Sequence, residues 1–102
     1  VTTPNEIHQA MKLGSRLVKI FPISPLGGVE YLKAVRGPLP DVPIVATGGV
    51  TLPEVIPMLK AGALAVGVGA PLMPSPDALK ARDAEAIQTH VKAFLSTLQA
   101  AL

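Results

Sequence analysis

Leu17-Val18-Lys19-Ile20-Phe21-Pro22-Ile23-Ser24-Pro25-Leu26-Gly27-Gly28 sets a lysine inside an apolar, β-branched run that stops at a proline. Such a run predicts a buried strand of a parallel sheet, and the Pro/Gly-rich residues after it predict a loop from Pro22 to Gly28. An amine buried there without a partner is disfavoured as the cation, and the neutral form attacks carbonyls. Lys19 is therefore the first candidate for chemistry. Successive strand residues face opposite ways, so the same lysine at a strand end could instead reach water and serve no reaction.

Working outward, the 102 residues hold one small domain, 49% hydrophobic and only 16% charged, with a mean hydropathy of +0.46. That is apolar for so short a chain and predicts surfaces covered by something else. No apolar run has the length of a membrane span, and Val1-Thr2-Thr3 is neither an initiator methionine nor a signal peptide, so a cytoplasmic piece of a longer chain is expected, with no membrane partner. With no cysteine, and with His8 and His90 far apart on predicted helices, no metal site is expected. The net charge of +2 is not gathered into a basic run, and Phe21, Tyr31 and Phe94 make no stacking platform, so nucleic acid is not expected as a partner.

Thr3-Pro4-Asn5-Glu6 predicts a helix start, with threonine at the cap, proline at the first helical position and glutamate three residues after the cap. Ile7, Ala10 and Met11 form its inner stripe, His8 and Lys12 face water, and Gly14 ends it. Beyond the Lys19 strand, Val29 to Arg36 reads as a short helix with Val29, Leu32, Ala34 and Val35 inward, closed by Gly37-Pro38. Pro43 to Thr47 is a second buried strand that runs into Gly48-Gly49. Those glycines let backbone N–H groups approach an anion, or else make a tight turn with no ligand. Thr51-Leu52-Pro53-Glu54 repeats the first capping pattern 48 residues after Thr3, and the helix it opens, kinked by Pro57, runs to Gly62. Ala63 to Gly67 is a third strand, leading to a second glycine turn, Val68-Gly69-Ala70-Pro71-Leu72. This turn lacks the third glycine of a dinucleotide fingerprint. Ser75 and Pro76 open a short helical turn, and Asp83 caps a last helix striped by Ile87, Val91, Phe94, Leu95, Leu98 and Leu102, with His90 facing water.

Strands that alternate with helices imply an α/β fold with a parallel sheet and right-handed crossovers, and sites in such folds lie at the C-terminal ends of the strands. Three strands fill only part of a (β/α)8 barrel of the TIM type.

Thr2-Thr3-Pro4-Asn5-Glu6, Val18-Lys19-Ile20-Phe21-Pro22 with Gly27-Gly28, Gly37-Pro38, Ala46-Thr47-Gly48-Gly49-Val50 and Ala65-Val66-Gly67 together resemble the C-terminal half of the 2-keto-3-deoxy-6-phosphogluconate (KDPG) / 4-hydroxy-2-oxoglutarate (KHG) aldolases. The resemblance covers the chain to about residue 74 and implies that residues 1–102 are the C-terminal part of a single (β/α)8 barrel. It implies further that Lys19 forms a Schiff base with the keto acid, beside Phe21 and Pro22 of the same motif. Thr47 then lies near the keto-acid end of the substrate, and Gly48, Gly49, Gly67, Gly69 and Ala70 meet its phosphate. Many members carry a serine in the last turn; Ala70 offers only its N–H, which favours a non-phosphorylated substrate.

By the same resemblance, a glutamate for proton transfer and an arginine for the substrate carboxylate belong to an N-terminal half that these residues do not include. The expected protein is thus a class I aldehyde-lyase that releases pyruvate and an aldehyde from a small keto acid. It needs no metal or diffusible cofactor, and it works as a homotrimer of whole barrels. The alternative is a non-catalytic, phosphate-binding half-barrel whose lysine is structural, and the side of the sheet that Lys19 occupies separates the two.

Overall fold

The computed structural model describes residues 1–102. The elements are α1 (Pro4–Lys12), β1 (Val18–Ile20), α2 (Ile23–Leu26), α3 (Gly28–Arg36), β2 (Ile44–Thr47), α4 (Leu52–Lys60), β3 (Ala65–Gly67), a 3-10 turn (Ala70–Leu72), α5 (Pro76–Lys80) and α6 (Ala84–Ala101). The strands form one parallel sheet in the order β1-β2-β3. Its register sets Lys19 beside Val45 and Val45 beside Ala65, while Thr47 lies beside Gly67. On the outer edge of β1, Val1 N donates to Lys19 O at 2.9 Å and Phe21 N donates to Val1 O at 3.0 Å, so β1 is bonded on both sides.

The strands are short, and burial alternates along β1 and β2. Val18, Ile20, Ile44 and Ala46 are buried, whereas Lys19 is exposed and Val45 and Thr47 are only partly covered. The buried set packs with Ile7, Ile23, Leu32, Val35, Met58 and Phe94 into one core between the sheet and its helices. The other face of the sheet has no helix layer. Lys19 therefore does not sit in the buried interior expected of its apolar run: the run is apolar because Val18 and Ile20 face the helices, and Lys19 lies between them on the open side.

Several boundaries differ from the sequence reading. The loop expected from Pro22 to Gly28 contains the helical turn α2. Proline is tolerated at Pro25 because the first turn of a helix uses no N–H there, and Ile23 is fully buried as the anchor. Leu17 and Phe21 fall outside β1 and are exposed, and β3 begins at Ala65 instead of Ala63. Ala34 faces water, because the inward stripe of α3 runs through Gly28, Leu32 and Val35. α4 continues through Pro57, whose ring is exposed, and the helix resumes its bonding with Ala61 N to Pro57 O at 2.9 Å. Leu95 and Leu102 are exposed, so the buried stripe of α6 is narrower than its apolar positions.

At the N-terminal side of the sheet, Arg36 ties three segments together. Its Nη1 donates to the carbonyls of Leu39, Pro40 and Val42, and its Nη2 donates to the carbonyl of Gly62 at the end of α4.

Both predicted capping boxes are formed, around Thr3–Glu6 and Thr51–Glu54. The Thr2 hydroxyl, ahead of Thr3, holds the Glu6 carboxyl below its usual value of 4.5, and the Thr51 backbone N–H, followed by the Thr51 hydroxyl, does the same for Glu54. Carboxyls whose values fall on folding add stability that is present above 4.5 and is lost as the pH drops through their folded values. The urea midpoint of the wild type is thus expected to fall from pH 5 toward pH 3 more steeply than that of a Glu6→Gln, Glu54→Gln double variant. Parallel slopes would remove the two boxes from the acid response.

Candidate active site

The C-terminal ends of the three strands bring together the residues that the sequence singled out. In the first row of the open face stand Lys19, Val45 and Ala65; one step further along the strands stand Thr47 and Gly67, with Phe21 following β1 on the same side as Lys19. The ammonium of Lys19 lies 5.5 Å from the centre of the Phe21 ring, within cation–π range. The Phe21–Pro22 peptide is cis, and Phe21 is 52% exposed.

The two glycine-bearing segments fit against their neighbours for different reasons. Gly48 has a φ of +103°, and a Cβ there would lie 2.7 Å from Pro22 Cα and 2.8 Å from Phe21 Cδ2. The turn after β2 therefore closes directly onto the segment after Lys19, and only hydrogen fits between them. Ser24 strengthens the same contact, donating its N–H to Gly48 O at 3.0 Å and packing its side chain against Gly49. The Ser24 hydroxyl is buried and has no partner within the chain. Nothing in the local pattern marks Ser24, since the contact joins two loops 24 residues apart in sequence.

Gly67 is required by Thr47: a Cβ on Gly67 would come within 2.6 Å of Thr47 Oγ1, so the threonine side chain occupies the space the glycine leaves. Gly67→Ala is expected to push Thr47 out of place and to destabilise the protein by about 1–3 kcal/mol. A melting temperature equal to that of the wild type would refute this packing. Gly69 differs from the others, with a φ of −116° and open space where a Cβ would stand. Packing does not demand its glycine.

The N–H groups of Gly48, Gly49 and Val50 after β2, and of Gly69 and Ala70 after β3, donate to no acceptor within the chain. Both sets leave adjacent parallel strands at the same end, an arrangement suited to an anion. Ala70 is exposed at the start of the 3-10 turn. His8 is exposed on α1, as expected. His90 is not free in water: it is half-buried, with Nε2 2.8 Å from the carbonyl oxygen of Pro71. Helical periodicity placed it at the edge of the stripe, and only the packing of α6 on the turn after β3 gives it a partner.

A parallel sheet with helices on one face and glycine turns at its strand ends defines an α/β fold. The family model for KDPG and KHG aldolase matches residues 1–90, and the chain belongs to that aldolase family. It is 33% identical over 98 residues to the 2-dehydro-3-deoxy-6-phosphogalactonate aldolase of Escherichia coli, a match that covers 95% of this chain and 47% of the relative. Over 52 residues it is 44% identical to a 2-dehydro-3-deoxy-phosphogluconate aldolase of Pseudomonas aeruginosa, covering 51% of this chain and 24% of that protein. Among solved structures, a 4-hydroxy-2-oxoglutarate/2-dehydro-3-deoxyphosphogluconate aldolase superposes with a TM-score of 0.71 at 31% identity, over 96% of this chain and 46% of the other. The native KDPGal structure gives 0.66 at 28% identity, over 94% and 48%. The chain spans about half the length of these relatives or less.

Proposed function

We propose that the protein containing these residues is a Schiff-base aldolase, with residues 1–102 forming the C-terminal part of its (β/α)8 barrel. The observation that carries this reading is the side of the sheet that Lys19 occupies: the open face, level with Val45 and Ala65 and below the two glycine turns. In a closed barrel that face is the interior, and the strand ends are the mouth. A structural lysine of a non-catalytic module would be expected in an ion pair, and the chain's ion pair is between Lys33 and Glu30, on α3.

In this reading the amine of Lys19, once a base has taken its extra proton, adds to the keto carbon of the substrate and water leaves, giving an iminium. The bond between the third and fourth carbons then breaks. Its electron pair moves toward the iminium to form an enamine, while the hydroxyl on the fourth carbon gives its proton to a base and departs as an aldehyde. Protonation of the enamine and hydrolysis release pyruvate and restore the amine. Phe21 and Pro22 wall the site beside Lys19, and Thr47 contacts the keto-acid end. The N–H groups of Gly48, Gly49, Gly69 and Ala70 take the substrate's phosphate where one is present, and Gly67 makes room for Thr47. Substrates of this kind are 2-keto-3-deoxy-6-phosphogluconate, its galactonate counterpart and 4-hydroxy-2-oxoglutarate, with glyceraldehyde 3-phosphate or glyoxylate as the aldehyde. The N-terminal half supplies the acid/base group and the carboxylate clamp, and the whole protein assembles as a homotrimer.

The test is trapping. Borohydride with pyruvate is expected to add one reduced pyruvate to the peptide that carries Lys19; labelling of Lys12, Lys33 or Lys60 in its place would overturn the assignment. Residues 1–102 expressed alone are expected to self-associate, since the sheet's open face exposes Phe21 and β3 has an unpaired edge. A monodisperse monomer with a cooperative melt would count against the barrel.

A further inference from the structure

The chain after β1 closes on two consecutive glycines after β2. Gly48 and Gly49 have φ values of +103° and +75°, and the space where each would carry a side chain is filled from the same segment: Phe21 and Pro22 stand at Gly48, and Ser24 stands at Gly49. A Cβ on Gly49 would lie 2.9 Å from Ser24 Cβ and 3.1 Å from its Oγ, so only hydrogen fits between them. Between the two contacts Ser24 N donates to Gly48 O at 3.0 Å. Ser24 thus holds the β2 turn by one backbone bond and by the bulk of its side chain. The hydroxyl is buried and has no hydrogen-bond partner within the chain, so its part in this contact is size alone.

Of the two sides, α2 is the fixed one. Ser24 follows Ile23, which is fully buried, and Gly27 N donates to Ser24 O at 3.1 Å and so closes the helical turn. Gly49 is exposed, so bulk added at Ser24 is relieved by movement of the glycine turn. That turn carries Thr47. The threonine directly precedes Gly48, and its Oγ1 fills the space left by Gly67 on the neighbouring strand. It stands on the open face one step beyond Val45, which lies beside Lys19. Movement of Gly48 therefore shifts Thr47, while Lys19 stays paired in the ladder of β1 with β2 and bonded to Val1.

We propose that Ser24 is a positioning residue for the site: by its size it sets how closely the β2 turn approaches the segment after Lys19, and so where Thr47 stands relative to the lysine. That Thr47 meets a keto acid rests on the aldolase reading above; the dependence of its position on Ser24 does not.

The experiment compares Ser24→Ala, Ser24→Thr and Ser24→Val in the full-length protein. Because size is what counts, cleavage of the keto acid should weaken in that order, with kcat/KM of Ser24→Val about ten- to a hundredfold below wild type, the scale expected when a site contact is displaced. Ser24→Ala should recover most of that loss. The borohydride adduct of pyruvate at Lys19 should form in each variant within about threefold of the wild-type rate, which separates a moved Thr47 from a damaged lysine or fold. Amide NMR shifts of Thr47, Gly48 and Gly49 should change in the same order of size. Activity that follows the hydroxyl, with Ser24→Thr near wild type and Ser24→Ala impaired, overturns the proposal, as does an unchanged kcat/KM in Ser24→Val. Equal loss of adduct and cleavage in Ser24→Val makes Ser24 merely structural and overturns it as well. A wild type that forms no adduct and cleaves none of these acids sinks the aldolase reading, and the amide shifts then decide the proposal by themselves. Shifts at Thr47 graded by size uphold it, and shifts confined to α2 overturn it.

Discussion

Lys19→Arg in the full-length protein is expected to lower aldol cleavage about ten-thousandfold or more, the scale seen when a covalent nucleophile is lost. The fold should be retained. Lys19 is exposed on the open face of the sheet, its backbone carbonyl and not its side chain makes the bond to Val1 N, and arginine keeps both the charge and the stacking over Phe21. Arginine cannot form the imine, because its guanidinium stays protonated. The melting temperature and the pyruvate-dependent borohydride adduct separate the two effects: an unchanged melt with no adduct supports the assignment. Turnover within tenfold of wild type would end it.

Gly48→Ala is expected to have the largest effect on stability among the glycines, about 3 kcal/mol or more, and to remove activity with it. Two costs add. A φ of +103° is outside the range that alanine adopts without strain, and the new methyl group would meet the backbone of Pro22 at 2.7 Å and the Phe21 ring at 2.8 Å. A side chain can rotate away, but the Pro22 Cα moves only with the chain between β1 and α2. That segment follows directly on β1, so relief of the clash pulls on the strand that carries Lys19. Gly69→Ala provides the contrast. No atom lies within 4 Å of the added carbon, so the steric cost is absent and the loss of stability should be well below that of Gly48→Ala, about 1 kcal/mol or less. If both substitutions prove equally mild, the closure of the β2 turn onto the β1 segment is not what holds the site together.

These two glycines also show how far local pattern reaches. Both stand after a strand in a glycine-bearing turn, and nothing adjacent in sequence tells them apart. The difference lies in what packs on each: the Phe21–Pro22 segment on Gly48, and open space at Gly69. Thr47 and Gly67 belong to the same case, since their pairing depends on the register of β2 with β3.

The sequence by itself determined the elements whose signals are local. Threonine caps with glutamate three residues on place the starts of α1 and α4; Asp83 places the start of α6; β-branched runs ending at proline or glycine place β1 and β2, and a short apolar run ending at glycine places β3; and the alternation of strand with helix makes the sheet parallel. It also singled out Lys19, because a charge inside an apolar run stands out whichever way it faces. Only the tertiary structure decided which way that was. A strand of three residues has too few positions for its period to reveal the buried face, so the side of the sheet was settled by the helices that cover Val18 and Ile20 and leave Lys19 uncovered. The same holds for His90 and Ser24, whose partners come from loops 19 and 24 residues away, at distances in space that no period along one element encodes.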